Sequence, residues 1–129
     1  MLGVRQPEIY GSETLADIEA ACRTRGGELG LKIDFRQSNV EGELVTWIQE
    51  ARKQVGGLVI NAAAYTHTSI ALLDAIKAID VPVIEVHLSD PATREGFRHH
   101  SYVGMAAVDE VKGMGANGYA VALEKAAAL

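Results

Sequence analysis

Two short apolar runs decide the fold of this chain: Gly-Leu-Val-Ile-Asn at residues 57–61 and Pro-Val-Ile-Glu-Val-His at residues 82–87. Continuous apolar runs of this length are typical of strands that are buried on both faces of a sheet. The segment between them, residues 68–79, predicts a helix, because four apolar residues fall on one helical face: Leu72, Ala75, Ile76 and Ile79. A strand, a helix and a strand in this order indicate parallel strands joined by a helical crossover.

The sequence before residue 57 continues the same alternation. Residues 14–17 have the spacing of a capping box, and the helix that begins there is predicted to end at the glycines 26–27. Residues 31–37 alternate between apolar and polar side chains, which predicts a strand. Residues 38–41 form a second capping box, and the helix after it is amphipathic, with an apolar face made of Leu44, Trp47, Ile48 and Ala51.

The end of the chain completes the pattern with a polar loop or short helix over residues 89–102, a weak strand over 107–114 and a helix over 119–126. This alternation predicts an α/β protein of the flavodoxin-like kind, a doubly wound parallel sheet with helices on both faces. The length predicts one domain, residues 1–129. Such folds usually open with a strand inside the sheet, whereas residues 1–11 have the glycines and proline of a loop.

Composition excludes several classes of function. The formal net charge of −5 and the scattered Lys and Arg residues leave no basic surface for nucleic acid. No apolar run is long enough for a membrane helix and the first residues do not resemble a signal peptide, so we expect no membrane partner and a cytoplasmic location. Cys22 is the single cysteine, which excludes an internal disulfide, and its helical spacing predicts a buried, inert thiol.

Polar residues that follow the buried strands are the first candidates for a site, because ligands bind beyond the carboxyl ends of parallel strands. Asn61 and His67 follow the first run, near a predicted helix start that suits a carboxylate or hydroxyl group. A turn-forming amide and a helix-start residue are the alternatives for these two. Glu85 and His87 lie two apart on one strand and therefore point to the same face, where the carboxylate can orient a general-acid imidazole. A buried polar pair that serves packing is the alternative.

Two other polar segments carry further candidates. Arg94 and Arg98, four apart, are predicted to share a helical face, with a solvated surface as the alternative. The adjacent histidines 99–100 point in different directions on a helix, so we predict no metal. In the opening loop, Arg5 can lower the pKa of Tyr10 from about 10 and make a phenolate base, provided that the loop closes and excludes water; ordinary loop packing is the alternative.

The glycines at 113, 115 and 118 match the spacing of a dinucleotide-binding loop. A dinucleotide site needs a complete strand-helix-strand unit and an acidic residue about 20 positions further on, and too few residues follow for either. We therefore predict a tight turn with a helix start, and no cofactor.

Taken together, several separated segments resemble the type II 3-dehydroquinate dehydratases over nearly the whole chain. The most specific is the pair EVHLS and REGFRHHSY. The segment RQPEIYG at 5–11 is similar to the family's active-site lid, which covers about residues 3–12 here. FRQSN at 35–39 and EGEL at 41–44 are similar to its second strand and helix, and YTHTS at 65–69 is similar to its substrate loop. EVHLS lies at 85–89 and REGFRHHSY at 94–102.

This resemblance implies a cofactor-free lyase that converts 3-dehydroquinate to 3-dehydroshikimate by anti elimination through an enolate. Tyr10 would remove the proton beside the ketone, with Arg5 favouring its phenolate form. His87, oriented by Glu85, would protonate the departing hydroxyl. The reaction would serve aromatic biosynthesis or quinate catabolism.

The resemblance also implies how the substrate is held and how the chains assemble. Asp74 would reach a neighbouring subunit's site, which implies trimers gathered into a dodecamer. The remaining implied contacts are Asn61, His67 and Arg98 to hydroxyls, the backbone amides of Leu88 and Ser89 to the carboxylate, and Arg94 as an aid to closing the site.

The chain departs from the family pattern at two places. The family opens with a strand and an asparagine-containing segment, and Met1 aligns just after that segment. We therefore expect these residues alone to fold poorly or turn over weakly, and a catalytically impaired ligand-binding or interaction module is the alternative function. Ala62 and Ala63 stand where the family often has Pro or Gly, and Ala63 lies at a backbone position that prefers Gly.

Overall fold

A computed structural model describes residues 13–129. Within this range, three parallel strands form a sheet: β1 (Leu58–Ile60), β2 (Val83–Val86) and β3 (Asp109–Val111). Strand β2 lies between β1 and β3. The two apolar runs thus form strands as predicted, and the weak strand near the end of the chain is also confirmed.

In the described part of the chain, four α-helices cover the two faces of this sheet: α1 (Leu15–Glu28), α2 (Glu41–Ala51), α3 (Ile70–Lys77) and α4 (Gly118–Ala127). Alternate side chains of β2 point to opposite faces. Val83 packs with α2 and α3 in one apolar cluster, while Ile84 and Val86 pack with α4 in another. Helix α1 lies against α4, where Ile18 and Cys22 meet Leu123. The flavodoxin-like arrangement predicted from the sequence is therefore confirmed.

Helix α1 begins with the predicted capping box, in which Thr14 and Asp17 exchange backbone-to-side-chain hydrogen bonds. The helix continues through the two glycines, however, and ends at Glu28, so the predicted end was wrong. Gly26 is buried, and a Cβ atom placed there would lie 2.4 Å from Cγ1 of Ile33. A glycine at this position lets the following segment pack closely on α1, which explains its place inside a helix.

The capping box predicted for α2 is absent. Val40 is the N-cap residue and its side chain makes no capping hydrogen bond. Ser38 instead accepts a hydrogen bond from the amide of Val40, two residues on, in a local turn before the helix. The helix itself is confirmed, with Ile48 and Ala51 buried.

Residues 31–37 were predicted as a strand. The predicted alternation of buried and exposed side chains is present, but among the described residues the segment makes no strand hydrogen bonds, so the strand assignment was wrong. Leu31, Ile33 and Phe35 are half-buried, the residues between them are exposed, and all three pack on the cluster around Ile18. A strand needs a neighbouring strand to complete its backbone hydrogen bonds. Within residues 13–129 no strand pairs with this segment, so it stays extended without joining the sheet.

The loops at the carboxyl ends of the strands contain short 3-10 turns at Ala63–His67, Pro91–Thr93 and Gly96–Arg98. The predicted glycine turn before α4 is also present: Gly113 and Gly115 have φ values of 74° and 60°, which favour glycine. Their amides donate to the carbonyls of Ser89 and Leu88 respectively, so the turn fixes the segment that follows β2.

Cys22 is buried in the α1–α4 cluster, as predicted. Burial, with a smaller contribution from the negative charge of Glu19, raises the pKa of its thiol, which disfavours the reactive thiolate. None of the helices in residues 13–129 combines the length and the apolar character needed to cross a bilayer.

Candidate active site

The carboxylate of Glu85 and the imidazole of His87 meet at the carboxyl end of the middle strand. Their same-face geometry is confirmed, with 3.1 Å between Nε2 of His87 and Oε2 of Glu85. Glu85 is fully buried and His87 is 8% exposed, so the pair is shielded from bulk water but the imidazole reaches the surface. The His87 amide continues the ladder by donating to the carbonyl of Val111 at 2.9 Å. The backbone therefore fixes the position of the imidazole at the sheet edge.

Two hydroxyl groups also contact Oε2 of Glu85. Thr66 donates from Oγ1 at 2.7 Å, and Ser101 donates from Oγ. Sequence reasoning did not find these two residues, although both lie inside the segments that resemble the dehydratase family. The available signal was that Thr66 directly precedes the candidate His67 in the sequence. This signal is weak because hydroxyl side chains in loops usually serve local turns.

The hydrogen bonds decide the ionisation of Glu85. Burial by itself raises the pKa of this carboxyl, but the hydrogen bonds from His87, Ser101 and Thr66, together with the charge of His87, outweigh burial. The net result is a pKa below the usual range for a glutamic acid. Glu85 is therefore a carboxylate at neutral pH and can accept a hydrogen bond from the His87 ring.

The ring of His67 is stacked against the His87 ring. The two imidazoles are nearly parallel, with an interplanar angle of 12° and centroids 6.5 Å apart. Nδ1 of His67 lies 2.8 Å from the carbonyl oxygen of His100, so that nitrogen carries a proton and donates it. Within residues 13–129, the other ring nitrogen of His67 makes no hydrogen bond, and the ring lines the cleft.

A small cleft opens beside this pair of histidines. Groups of both charges line it, because its lining includes an arginine, a lysine and two glutamates. Its walls come from the segments after all three strands, which is where ligands bind in parallel sheets. The lining residues are His67, Glu85, His87, Pro91, Ala92, Arg98, His99, Ser101, Glu110 and Lys112.

Arg98 lines the cleft, and its Nε donates to the Glu95 carboxylate at 2.6 Å. Arg94 does not share a helical face with it, so that prediction was wrong. Arg94 has extended backbone angles between two short 3-10 turns, and its carbonyl lies 3.0 Å from Nε2 of His99. The Asp90-Pro91 start and the glycine at 96 favour separate turns over one continuous helix.

The segment after β2 presents two backbone amides, those of Leu88 and Ser89. Their carbonyls are occupied by the glycine turn described above. Among the hydrogen bonds between residues 13 and 129, none uses the amide of either residue. The arrangement suits a carboxylate that approaches the sheet edge.

Asn61 and Asp74 lie apart from this cleft. The Asn61 amide donates to the Tyr119 hydroxyl at 3.0 Å, and its Oδ1 accepts from the amide of Ala63, which is the turn-forming role given as its alternative. Asp74 is exposed on α3 and does not line the cleft of its own chain.

Arg5 and Tyr10, with the lid over residues 3–12, lie outside the described residues, and their predicted roles stay predictions. Within residues 13–129, no three His, Cys, Asp or Glu side chains are grouped so that they could hold a metal ion.

Comparisons with known proteins find relatives along almost the whole chain. The family model described as dehydroquinase class II matches residues 1–127. A 3-dehydroquinate dehydratase of Caulobacter sp. (strain K31) is 57% identical over 129 residues, which are 100% of this chain and 88% of that protein. One from Streptomyces avermitilis is 58% identical over 130 residues, 100% of this chain and 82% of that protein. The crystal structure of a type II dehydroquinase from Propionibacterium acnes superimposes with a TM-score of 0.95 at 41% identity, covering 99% of this chain and 88% of that one.

Proposed function

The chain belongs to the class II dehydroquinase family, and on this premise we propose that the cleft beside His87 removes water from 3-dehydroquinate to give 3-dehydroshikimate. As a member of the family the chain is an enzyme, a hydro-lyase of the shikimate pathway. The observation that carries the residue assignment is the contact between Glu85 and His87, a carboxylate and an imidazole 3.1 Å apart at the mouth of a cleft.

His87 is the general acid of this proposal. Loss of hydroxide from the substrate is slow unless a proton reaches the departing oxygen, and a positioned acid accelerates such steps by roughly 10²- to 10⁴-fold. Glu85 is ionised, so it accepts a hydrogen bond from the imidazole that delivers the proton. An ionised Glu85 also draws Nε2 of His87 toward itself and so fixes the orientation of the ring.

Tyr10 is the base, and Arg5 favours its phenolate form. Both assignments rest on the similarity of residues 5–11 to the family lid. A phenol near its usual pKa of about 10 is mostly protonated at neutral pH, so the base needs the arginine nearby and the closure of the loop over the substrate. The proton beside the ketone then passes to Tyr10, an enolate forms, and the hydroxyl leaves on the opposite face with the proton from His87.

His67 and Arg98 hold substrate hydroxyls, because both line the cleft beside the general acid. The amides of Leu88 and Ser89 hold the substrate carboxylate, since two adjacent backbone donors suit an anion. The other assigned contacts are Asn61, which must exchange its bond to Tyr119 for a substrate hydroxyl, and Arg94, which helps to close the site.

Asp74 reaches the site of a neighbouring subunit in a trimer, and four trimers form a dodecamer. This proposal is supported by the exposure of Asp74 and by Ile70, which lies one turn earlier on α3 and is 54% exposed although it is apolar. A neighbouring subunit packed on this face would cover the isoleucine and take up the aspartate. We further propose that residues 1–129 form a single domain, that the enzyme is cytoplasmic, and that quinate catabolism is a second setting for the same reaction.

The direct test is turnover of 3-dehydroquinate by the purified protein, followed by the absorbance of the conjugated enone product. Tyr10→Phe and His87→Ala should each lower kcat by at least about 10²-fold, because each removes one proton-transfer group. Cys22→Ala is the control and should keep the wild-type rate, since its thiol is buried away from the cleft. Wild-type rates in both active-site variants would remove the mechanism, and ligand binding without any turnover by the wild-type protein would remove the function.

A further inference from the structure

Oε2 of Glu85 is an unusually crowded acceptor. It faces His87, Thr66 and Ser101 at once, while the second carboxylate oxygen, Oε1, is buried without a hydrogen bond from any of residues 13–129. A carboxylate with one oxygen in three contacts and the other in none is held in a single orientation. That orientation turns the occupied oxygen toward the imidazole.

We propose that Thr66 and Ser101 are positioning residues of the reaction, whose hydroxyls hold Oε2 of Glu85 against His87 and keep the carboxylate ionised through the catalytic cycle. The inference deepens the proposed function on which it rests, because it concerns the partner of the general acid. Neither hydroxyl is assigned a contact with the substrate.

The donor and acceptor roles of the two hydroxyls support this role. Thr66 and Ser101 each have one hydroxyl proton, and their oxygens lie side by side at Oε2 of Glu85, 2.7 Å from one another. The Ser101 oxygen accepts a hydrogen bond from the amide of Gly104 at 2.9 Å. An ionised carboxylate can only accept, so both hydroxyl protons can point to Oε2. The cluster therefore favours the charged form of Glu85.

The two segments that carry the hydroxyls are joined to one another. The amide of Tyr102 donates to the carbonyl of Thr66 at 2.7 Å, and Nδ1 of His67 donates to the carbonyl of His100 at 2.8 Å. Thr66 is fully buried. These bonds fix the distance between the two hydroxyls, so Glu85 is held from both sides by rigid partners.

Glycine at position 104 completes the support. A Cβ atom placed on Gly104 would lie 3.0 Å from Oε1 of Glu85, which is closer than ordinary van der Waals contact. The space beside Oε1, the oxygen without a hydrogen bond from the described residues, therefore admits a glycine but leaves little room for a side chain. A tilt of the carboxylate out of its present plane would give up the contacts of Oε2.

Other charged and titratable groups line the same cleft and have contacts of their own. On the adjacent strand, Glu110 is the ladder partner of Glu85, and its side chain pairs with Lys112 at 3.3 Å. The ring of His67 is stacked against that of His87, and its Nδ1 contacts the carbonyl of His100. The remaining groups that line the cleft are Arg98, which pairs with Glu95, and His99, which contacts the carbonyl of Arg94.

The test measures the ionisation of Glu85 directly. Protein labelled with carbon-13 at the glutamate carboxyl carbons is titrated by NMR, and the signal of Glu85 is assigned by its loss in Glu85→Gln. Removal of one donor should destabilise the carboxylate, so the apparent pKa of Glu85 should rise in Thr66→Val and in Ser101→Ala. Thr66→Ser keeps the hydroxyl and should restore the wild-type titration.

Ser69→Ala is the matched control, because Ser69 is also a buried hydroxyl but serves as the N-cap of α3, accepting from the amide of Leu72. This variant should lose stability without moving the Glu85 titration. In the dehydration assay, Thr66→Val and Ser101→Ala should lower kcat about tenfold with little change in KM, and the acidic limb of the pH profile should move to higher pH.

The two hypotheses fail in different ways. An unchanged Glu85 titration in both Thr66→Val and Ser101→Ala overturns the positioning role, whatever the rates are. The pKa of Glu85 rising in the variants, in a protein whose wild-type form turns over no 3-dehydroquinate, supports the positioning role and contradicts the proposed function. If Thr66→Val does not fold, Ser101→Ala decides the question, because Ser101 is only partly buried.

Discussion

Ala63 has a φ of 51°, in the left-handed region where the Cβ atom of an L-residue crowds its own backbone. It lies directly after Ala62 at the start of the 3-10 turn that carries Thr66 and His67. Ala63→Gly should therefore stabilise the protein by about 0.5 to 1 kcal/mol, after allowance for the greater freedom of glycine in the unfolded chain. Thermal unfolding should show a rise of about 2 to 5 °C.

The neighbouring alanine supplies the control for this change. Ala62 has a φ of −81° and is buried, so Ala62→Gly removes packing and adds unfolded-state freedom without relieving strain. We expect it to destabilise the protein. A melting temperature that falls equally in both variants would show that the left-handed backbone at 63 costs nothing.

The ionisation of Glu85 gives the protein a pH dependence with a definite sign. The folded pKa of this carboxyl lies below its ordinary value of 4.5, so the unfolded chain binds the proton more readily. The stabilisation is therefore complete above about pH 5 and is lost as the pH falls through the folded pKa. Glu85→Gln should destabilise the protein on the order of 1 to 3 kcal/mol at neutral pH, and the difference from wild type should shrink toward pH 4.

Urea unfolding at several pH values measures this difference. Glu110→Gln is a suitable control, since Glu110 is the exposed ladder neighbour of Glu85 on β3. Its free energy of unfolding should differ little from wild type at any pH. A Glu85→Gln penalty that stays constant across the range would contradict the lowered pKa.

The contact between α1 and residues 31–37 depends on one of two adjacent glycines. Gly26 faces Ile33, while a Cβ atom on Gly27 would meet nothing within 4 Å. Gly26→Ala should destabilise the protein by about 1 to 3 kcal/mol, because the new methyl group forces Ile33 away. Gly27→Ala should stabilise it by up to about 1 kcal/mol through helix propensity alone. Chemical denaturation measures the free energy of unfolding of both variants. A change of the same sign in Gly26→Ala and Gly27→Ala would contradict the close packing of Gly26 on Ile33.

Local patterns in the sequence predicted the elements well where the deciding contacts are also local. The capping box at Thr14 needs only the three residues after it, and it forms. The extended segment 31–37 has the right alternation, but a strand also requires a neighbour that no local pattern supplies. Gly26 was read as a helix end because its partner, Ile33, is known only once the chain has folded.

The candidate site divides in the same way. Glu85 and His87 were predictable together because residues two apart along a strand point to the same face. Thr66 and Ser101 were not, since they lie 19 and 16 residues from Glu85 and reach it through turns whose packing is tertiary. The cleft as a whole was predictable in place, at the carboxyl edge of the sheet, but not in its supporting hydroxyls.

At the scale of the whole molecule, Asp74 tests whether a complete site needs two subunits. It is exposed on α3 and stands outside its own cleft, whereas His87 lies inside it. Asp74→Ala and His87→Ala should each lose most activity when expressed alone. In a co-expressed oligomer, a His87→Ala subunit still offers its Asp74 to a neighbour, and an Asp74→Ala subunit still has its own His87.

Random mixing of equal amounts therefore restores about a quarter of the sites, because a working site requires one particular subunit type at each of two positions. Turnover per subunit should rise to about that fraction of the wild-type rate. The two variants purified separately and combined after folding are the control, since folded subunits that do not exchange cannot build a mixed site. Activity in the co-expressed oligomer no greater than the average of the two variants would confine Asp74 to its own chain, and the exposed face of α3 would then need another explanation.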